Sequence, residues 1–333
     1  MSIRIVKSGL QVTVQDLGRY GHQDLGVPVS GAMDDWSARL ANLMVGNAPD
    51  EAVLEVTLHG LALLFEKEHL VAVTGGGATI RVNDEEVPMG RSILVKPWSA
   101  MRFHPSRTGF RSYMAVAGGI RVITVMGSRS TYLPAHIGGY HGRALEEGDV
   151  LSVNEERSAL SRAMACRLLG PDKEYRSTRW SLSPAHGPDL FCRAVRFLPG
   201  PEWGWLTEAQ QKRFCTQPFV VTSRSDRMGY RLRGQPLLPE QPREMVSSAV
   251  TRGSVQLTHE GHPVLLMADA QTTGGYPRIA QVAAVDLPVC AQYRPGDRIL
   301  FKPVSFAEAR KVFMDREQEL ELIGKNLALL FNT

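Results

Sequence analysis

The chain has no run of about eighteen apolar residues, so no membrane-spanning helix is expected. Its opening stretch, Met1 to Asp16, lacks the apolar segment and small-residue cleavage site of a secretory leader. Charge of one sign is also scarce. The formal net charge over 333 residues is +4, spread along the sequence, which argues against nucleic acid or an acidic membrane surface as a partner. The four cysteines, Cys166, Cys192, Cys215 and Cys290, form no CxxC pair. They read as reduced, mostly buried thiols of a cytoplasmic protein, and they weigh against a zinc site. The nine histidines show no ligand spacing. His136 and His141 flank a Gly-Gly turn, and His59 falls on the wet face of a predicted strand, so no metal is expected. GxSxG, the P-loop and a biotinylation motif of the AMKM kind are all missing.

What is present is an ordinary globular composition, 43% hydrophobic and 22% charged, long enough for two domains with sizeable cores. Most of the pattern has the period of strands. In VLEVTLHG, Leu54, Val56 and Leu58 alternate with Glu55, Thr57 and His59, which predicts a half-buried strand with one wet face. Similar runs recur in ATIRVND, RSILVKP, SVQLTHEG, PVLLMAD and DRILFKPV, each bounded by Gly, Pro, Asn or Asp. Helices are few. Trp36, Leu40, Leu43 and Met44 make one stripe, ended by Gly46-Asn47. Thr207 and Gln210 open a second helix with a capping box. Ser305 and Glu308 open a third, which runs toward Gly324.

The chain also echoes itself. LEVTLHGLALLF from Leu54 resembles VQLTHEGHPVLL from Val255, and Thr74-Gly75-Gly76 is matched by Thr273-Gly274-Gly275. Asp16 with Gly18 and Tyr20 precedes the first, and Asp226 with Gly229 and Tyr230 precedes the second. GDVLSV from Gly148 matches GDRILF from Gly296. Four matches in the same order suggest a duplicated β domain. The expected division is 1–160, 185–304 and a terminal helix 305–325, with the polar stretch from Arg157 to Pro188 as linker.

Four segments could carry chemistry. Gln15, Asp16 and Arg19, continuing to Ser30 and Asp34, form a glycine-dense stretch that can approach a ligand or simply turn, with Asp16 and Arg19 paired. Ser30 or Asp34 is placed to cap the following helix. Thr74 to Gly77 reads as a tight β-turn, because the spacing is not GxGxxG and a strand follows. Asp226, Arg227, Tyr230 and Arg231 lie in an arginine cluster. It suits a carboxylate or phosphate, or else a surface ion-pair group. Asp269, Gln271, Thr272, Thr273, Gly274, Gly275 and Tyr276 follow an apolar strand. They either present donors to an oxyanion, phosphate or ureido group or form a plain turn.

Taken together, QDLGRYGHQDLGVPVSGAMD, LANLMVGN, LEVTLHG, YMAVAGGI, MGSRSTY, SDRMGYRLRG and DAQTTGGYP resemble the family of the C component of 5-oxoprolinase, also called allophanate hydrolase subunit 2 or KipA-like. The resemblance runs from Val6 to about Val304. It implies a mainly β fold of two tandem cyclophilin-like β-barrel domains with a few peripheral helices. It implies a KipI-like chain as partner, and a LamB/YcsF-like chain as third component for the ATP-dependent opening of 5-oxoproline to glutamate. ATP would enter through the complex, with the partner chain as one place for it. Related domains move carboxyl groups from a biotin carrier to urea, and KipA-like chains bind KipI in a regulatory role. Each enzymatic role handles a small amide substrate. The resemblance therefore marks Asp226, Arg227, Tyr230 and Arg231 as catalytic candidates. Gln15, Asp16, Arg19, Ser30, Asp34, Asp269, Gln271, Thr272, Thr273, Gly274, Gly275 and Tyr276 become substrate-binding candidates.

Overall fold

The computed structural model describes residues 2–170, 174–182, 194–238 and 245–331. The chain is mainly β, and it separates into two compact units. The first comprises Met1–Gly18, Asp34–Gly187 and Gln318–Thr333; the second comprises Arg19–Met33 and Pro188–Glu317. The division is therefore not a simple cut along the sequence. The Arg19–Met33 segment belongs with the second unit because arginines there hold its backbone. Arg227 Nη2 donates to Gly31 O at 2.7 Å, and Arg252 donates to the carbonyls of Ala32 and Met33. Met33 itself is buried in that unit's core.

The first unit has two six-stranded sheets. One is ordered Val150–Ser152, Ser2–Ser8, Leu61–Phe65, Ser99–Pro105, Ala78–Val82, Glu85–Val87. The other is ordered Tyr175–Ser177, Ser92–Val95, His69–Gly75, Arg111–Val116, Val53–Thr57, Gln11–Gln15. Alternating residues such as Ile3, Ile5, Val12, Val14, Leu54 and Val56 close the core between them. Helix α1 (Asp35–Met44) packs on the second sheet, on the strands His69–Gly75, Arg111–Val116 and Val53–Thr57. Asp34 caps it, accepting from Ser37 N at 2.9 Å. Trp36 and Leu40 bury their stripe against Leu320.

This cover overturns one expectation. The Val53–Thr57 strand has no wet face, for Glu55 and Thr57 are buried along with Leu54 and Val56. Glu55 is tolerated there because Tyr113 donates to it at 2.8 Å and Arg111 lies 3.7 Å away. The supposed linker is also structured. It holds helix α2 (Ala159–Leu168), capped by Ser158, and the strand Tyr175–Ser177, which pairs with Ser92–Val95. Residues 171–173 and 183–188 of that stretch lie outside the described residues. The cysteines are less buried than expected: Cys166 is exposed, Cys215 half-buried and Cys290 buried, while Cys192 lies outside the described residues.

The second unit is built on an eight-stranded sheet, ordered Arg298–Ile299, Phe219–Val221, Gly229–Arg233, Pro263–Leu266, Ser254–Leu257, Arg278–Val282, Val195–Pro199, Phe301–Pro303. A ribbon of Ser248–Ala249 and Thr273–Gly274 stands beside it. Phe197, Phe214, Phe219 and Phe301 pack ring to ring in its core. Helix α3 (Glu208–Thr216) opens with the expected Thr207–Gln210 capping box. Helix α4 (Leu287–Cys290) is a single turn. Helix α5 (Phe306–Leu330) opens with the Ser305–Glu308 box and runs beyond Gly324. No helix among the described residues is long and apolar enough to cross a membrane.

Candidate functional site

Three central strands of the second unit share a period-2 division of labour. Tyr230 and Leu232, Leu265, and Val255 and Leu257 point into the core. Their neighbours Gly229 and Arg231, Val264 and Leu266, and Gln256 and Thr258 lie on the opposite face and line a cavity of about 250 Å3. Strand pairing puts Arg231 opposite Val264, Val264 opposite Gln256, and Gln256 opposite Arg278 in one row. A bulge between Val255 and Gln256 shifts the register at that last pair. Arg224, Asp226 and Met228 line the cavity from the turn before Gly229, and Gln271 and Tyr276 line it from the loop after the Pro263–Leu266 strand.

The turn is held by Asp226, whose Oδ1 accepts from Met228 N at 2.8 Å and Gly229 N at 3.2 Å. Ser225 Oγ accepts from Arg231 N at 3.0 Å, which ties the turn to the strand. Among the described residues, neither the Arg224 nor the Arg231 guanidinium makes a hydrogen bond or ion pair. Two guanidiniums and one carboxylate leave the cavity with one net positive charge. Its floor is apolar, because Val264 and Leu266 cluster there with Val250 and Ala270. Tyr276 stands at the rim with its ring 5.2 Å from that of His259. Such a site suits a small ligand with a carboxylate at one end and a flat apolar or amide body.

The sequence candidates divide accordingly. Asp226, Arg231, Gln271 and Tyr276 come together at this cavity. Arg227, Tyr230 and Asp269, equally prominent in the sequence, do not line it. Arg227 is 5% exposed and forks onto Asp269, with Nε to Oδ2 at 2.8 Å and Nη2 to Oδ1 at 3.1 Å. Tyr230 is a core side chain. Thr273 and Gly274 form the flanking ribbon, Thr272 O accepts from Val250 N, and Gly275 lies beyond the ribbon's end. In the first unit, Gln15 and Asp16 are framework residues. Gln15 Nε2 donates to Thr13 Oγ1 and Thr131 O. The Asp16 carboxylate is taken up by Ser128, Ser130, Arg129 N and Gly18 N. Of the two capping candidates, Asp34 is the helix cap. Ser30 and Arg19 are buried in the second unit, Ser30 with a left-handed φ of 58°.

Gln256 was no candidate from sequence, because a polar residue alternating with Val255 and Leu257 looks like any solvated strand position. It is 2% exposed. Thr74 to Gly77 behaves as the expected turn. Gly76 N and Gly77 N are spent on the carbonyls of Arg111 and Thr108, and Cβ atoms at Gly75 and Gly77 would strike backbone. Those amides cannot cradle a phosphate. A larger concavity of about 630 Å3 in the first unit is lined by Arg167, Arg176, Trp180 and Phe331, among others. Arg167 there donates to Leu330 O at 2.7 Å and covers the Phe331 ring at 5.1 Å, so it anchors the end of α5.

Residues 25–303 match the family described as carboxyltransferase domain, subdomain A and B. The chain is 38% identical to the C component of 5-oxoprolinase from Escherichia coli (strain K12), covering 98% of both chains. It is 32% identical to urea amidolyase of Lachancea kluyveri, covering 97% of this chain and 18% of that one. The crystal structure of Kluyveromyces lactis urea carboxylase superposes with a TM-score of 0.82 at 28% identity, over 97% of this chain and 29% of that one.

Proposed function

Since this chain belongs to the carboxyltransferase domain, subdomain A and B family, we propose that it is the C component of a cytoplasmic ATP-dependent 5-oxoprolinase. In this reading it acts with a KipI-like partner and a LamB/YcsF-like partner to open 5-oxoproline to glutamate. The observation that carries the reading is the cavity on the second unit's outer sheet face, whose guanidiniums make no hydrogen bond or ion pair among the described residues and stand beside an apolar floor. 5-Oxoproline is a small ring with a carboxylate and a lactam. Arg231, aided by Arg224, binds the carboxylate; Val264 and Leu266 support the ring methylenes; Tyr276 and Gln271 close the rim. Holding the ring this way leaves the lactam group oriented for attack.

ATP supplies the activation that makes the amide open. At about 250 Å3 the cavity suits a compact ligand rather than a nucleoside triphosphate, and the Gly76 and Gly77 amides of the glycine turn are spent on backbone carbonyls. Nucleotide binding is therefore assigned to the partner chains. The urea-carboxylating reading, with a separate biotin carrier, is supported by the likeness to urea carboxylase. It is the weaker one, because urea amidolyase is 32% identical over 18% of its own length, against 38% over 98% for the 5-oxoprolinase component.

The test is reconstitution. The KipI-like and LamB/YcsF-like chains, given ATP and 5-oxoproline, should form glutamate only when this chain is added. Equal glutamate formation without it would sink the proposal.

A further inference from the structure

Among the described residues, Gln256 is the one lining side chain of the cavity that is both polar and buried to this degree. Its orientation is fixed by chemistry. It lies 3.3 Å from Tyr276 O, which can only accept, so the nitrogen end must face that carbonyl. The Oε1 end therefore points away from Tyr276 O, and among the described residues it receives no hydrogen bond. Gln256 lines the cavity, so this unengaged acceptor is open to a ligand there. Gly274 keeps the amide in place: a Cβ there would stand 2.5 Å from Gln256 Nε2. Along the sheet row, Gln256 and Arg231 are separated by Val264 alone. Their backbones are thus about 10 Å apart, two strand spacings. That gap, floored by an apolar side chain, fits a small ring with its carboxylate toward the arginine and its amide toward the glutamine.

We propose that Gln256 Oε1 accepts the ring N–H of the bound amide, so that this position selects substrates with an unsubstituted amide nitrogen. The inference rests on the proposed 5-oxoproline reading for the identity of the ring, and on the cavity geometry for the selection rule. A site that hydrogen-bonds a group disfavours the analogue lacking it, and an N-methyl group would also push against the glutamine oxygen instead of donating to it.

The experiment is a calorimetric titration of the assembled complex, with 5-oxoproline and with N-methyl-5-oxoproline, run beside a glutamate assay. Wild type should bind the N-methyl compound at least about tenfold more weakly. Gln256→Leu should weaken 5-oxoproline binding by a similar factor and bring the two ligands within about threefold of each other. Gly274→Ala, which displaces the same amide without altering its chemistry, should do likewise and covers the case in which the leucine variant fails to fold. Retention of wild-type discrimination by both variants, or equal binding of the two ligands by wild type, overturns the proposal. So does an absence of binding by either ligand. Selective binding without glutamate formation keeps the selection rule and instead removes the 5-oxoprolinase assignment.

Discussion

The two units answer the same local sequence in opposite ways. Both begin a turn with an aspartate that accepts from the amide two residues on: Asp16 from Gly18 N and Asp226 from Met228 N. Both close a corner in the same manner. Asp149 Oδ2 accepts from Glu146 N and Asp297 Oδ2 from Arg294 N, each at 2.7 Å, while Gly148 N donates to Ile5 O and Gly296 N to Val221 O. Yet Asp16 is buried and fully engaged, whereas Asp226 is exposed at a cavity. The sheet rows diverge likewise. In the first unit the row Glu55, Tyr113, Thr74 lies beneath α1, with Tyr113 bonded to Glu55 and Thr74 to Ser37 O. In the second, the row Arg231, Val264, Gln256, Arg278 carries no such helix among the described residues, and its first three residues line the cavity. A covered polar row becomes framework; an open one keeps its hydrogen-bonding capacity for a ligand.

That contrast can be broken by variants whose effects differ in kind. The largest change in stability is expected from Asp269→Ala, which strands the Arg227 guanidinium in a buried site. It should cost about 3–5 kcal/mol in denaturant unfolding, and a loss below about 1 kcal/mol would show the pair to be dispensable. Tyr113→Phe removes the hydroxyl that joins Glu55 to the backbone of Asp34. It should cost about 1–3 kcal/mol and leave KM for substrate unchanged; a raised KM would make the first unit part of the site. His69 gives the smallest effect. Burial pushes its imidazole down to about 4. Above about pH 6.5 both folded and unfolded forms are neutral; below it only the unfolded chain takes the proton, so stability falls until about pH 4. At pH 5.5 the loss should be about 1.4 kcal/mol. His69→Gln should remove that pH dependence, which urea melts at pH 7.5 and 5.5 would show.

Much of the architecture was legible in the sequence. The strand period and the two capping boxes have local causes, and the structure shows the corresponding elements. The wet face assigned to Glu55 failed because burial under α1 depends on a helix brought from elsewhere in the chain, which alternation cannot encode. The α2 helix was lost in a polar stretch because only its Ser161, Met164 and Ala165 are buried. At the site, Arg231 and Arg227 are indistinguishable in sequence; strand parity alone sends one outward, and the turn carries the other to Asp269. Gln256 had a usable signal. In the echo it occupies the place of Glu55, and a polar residue repeated in both halves marks the row that matters.

The claim that the second unit's open row is the substrate site is tested most directly by Arg231→Ala in the assembled complex. Its guanidinium makes no described contact within the protein, so unfolding should stay within about 0.5 kcal/mol of wild type. The kcat/KM for 5-oxoproline should fall at least about tenfold. An unchanged kcat/KM in a normally folded variant would contradict the account.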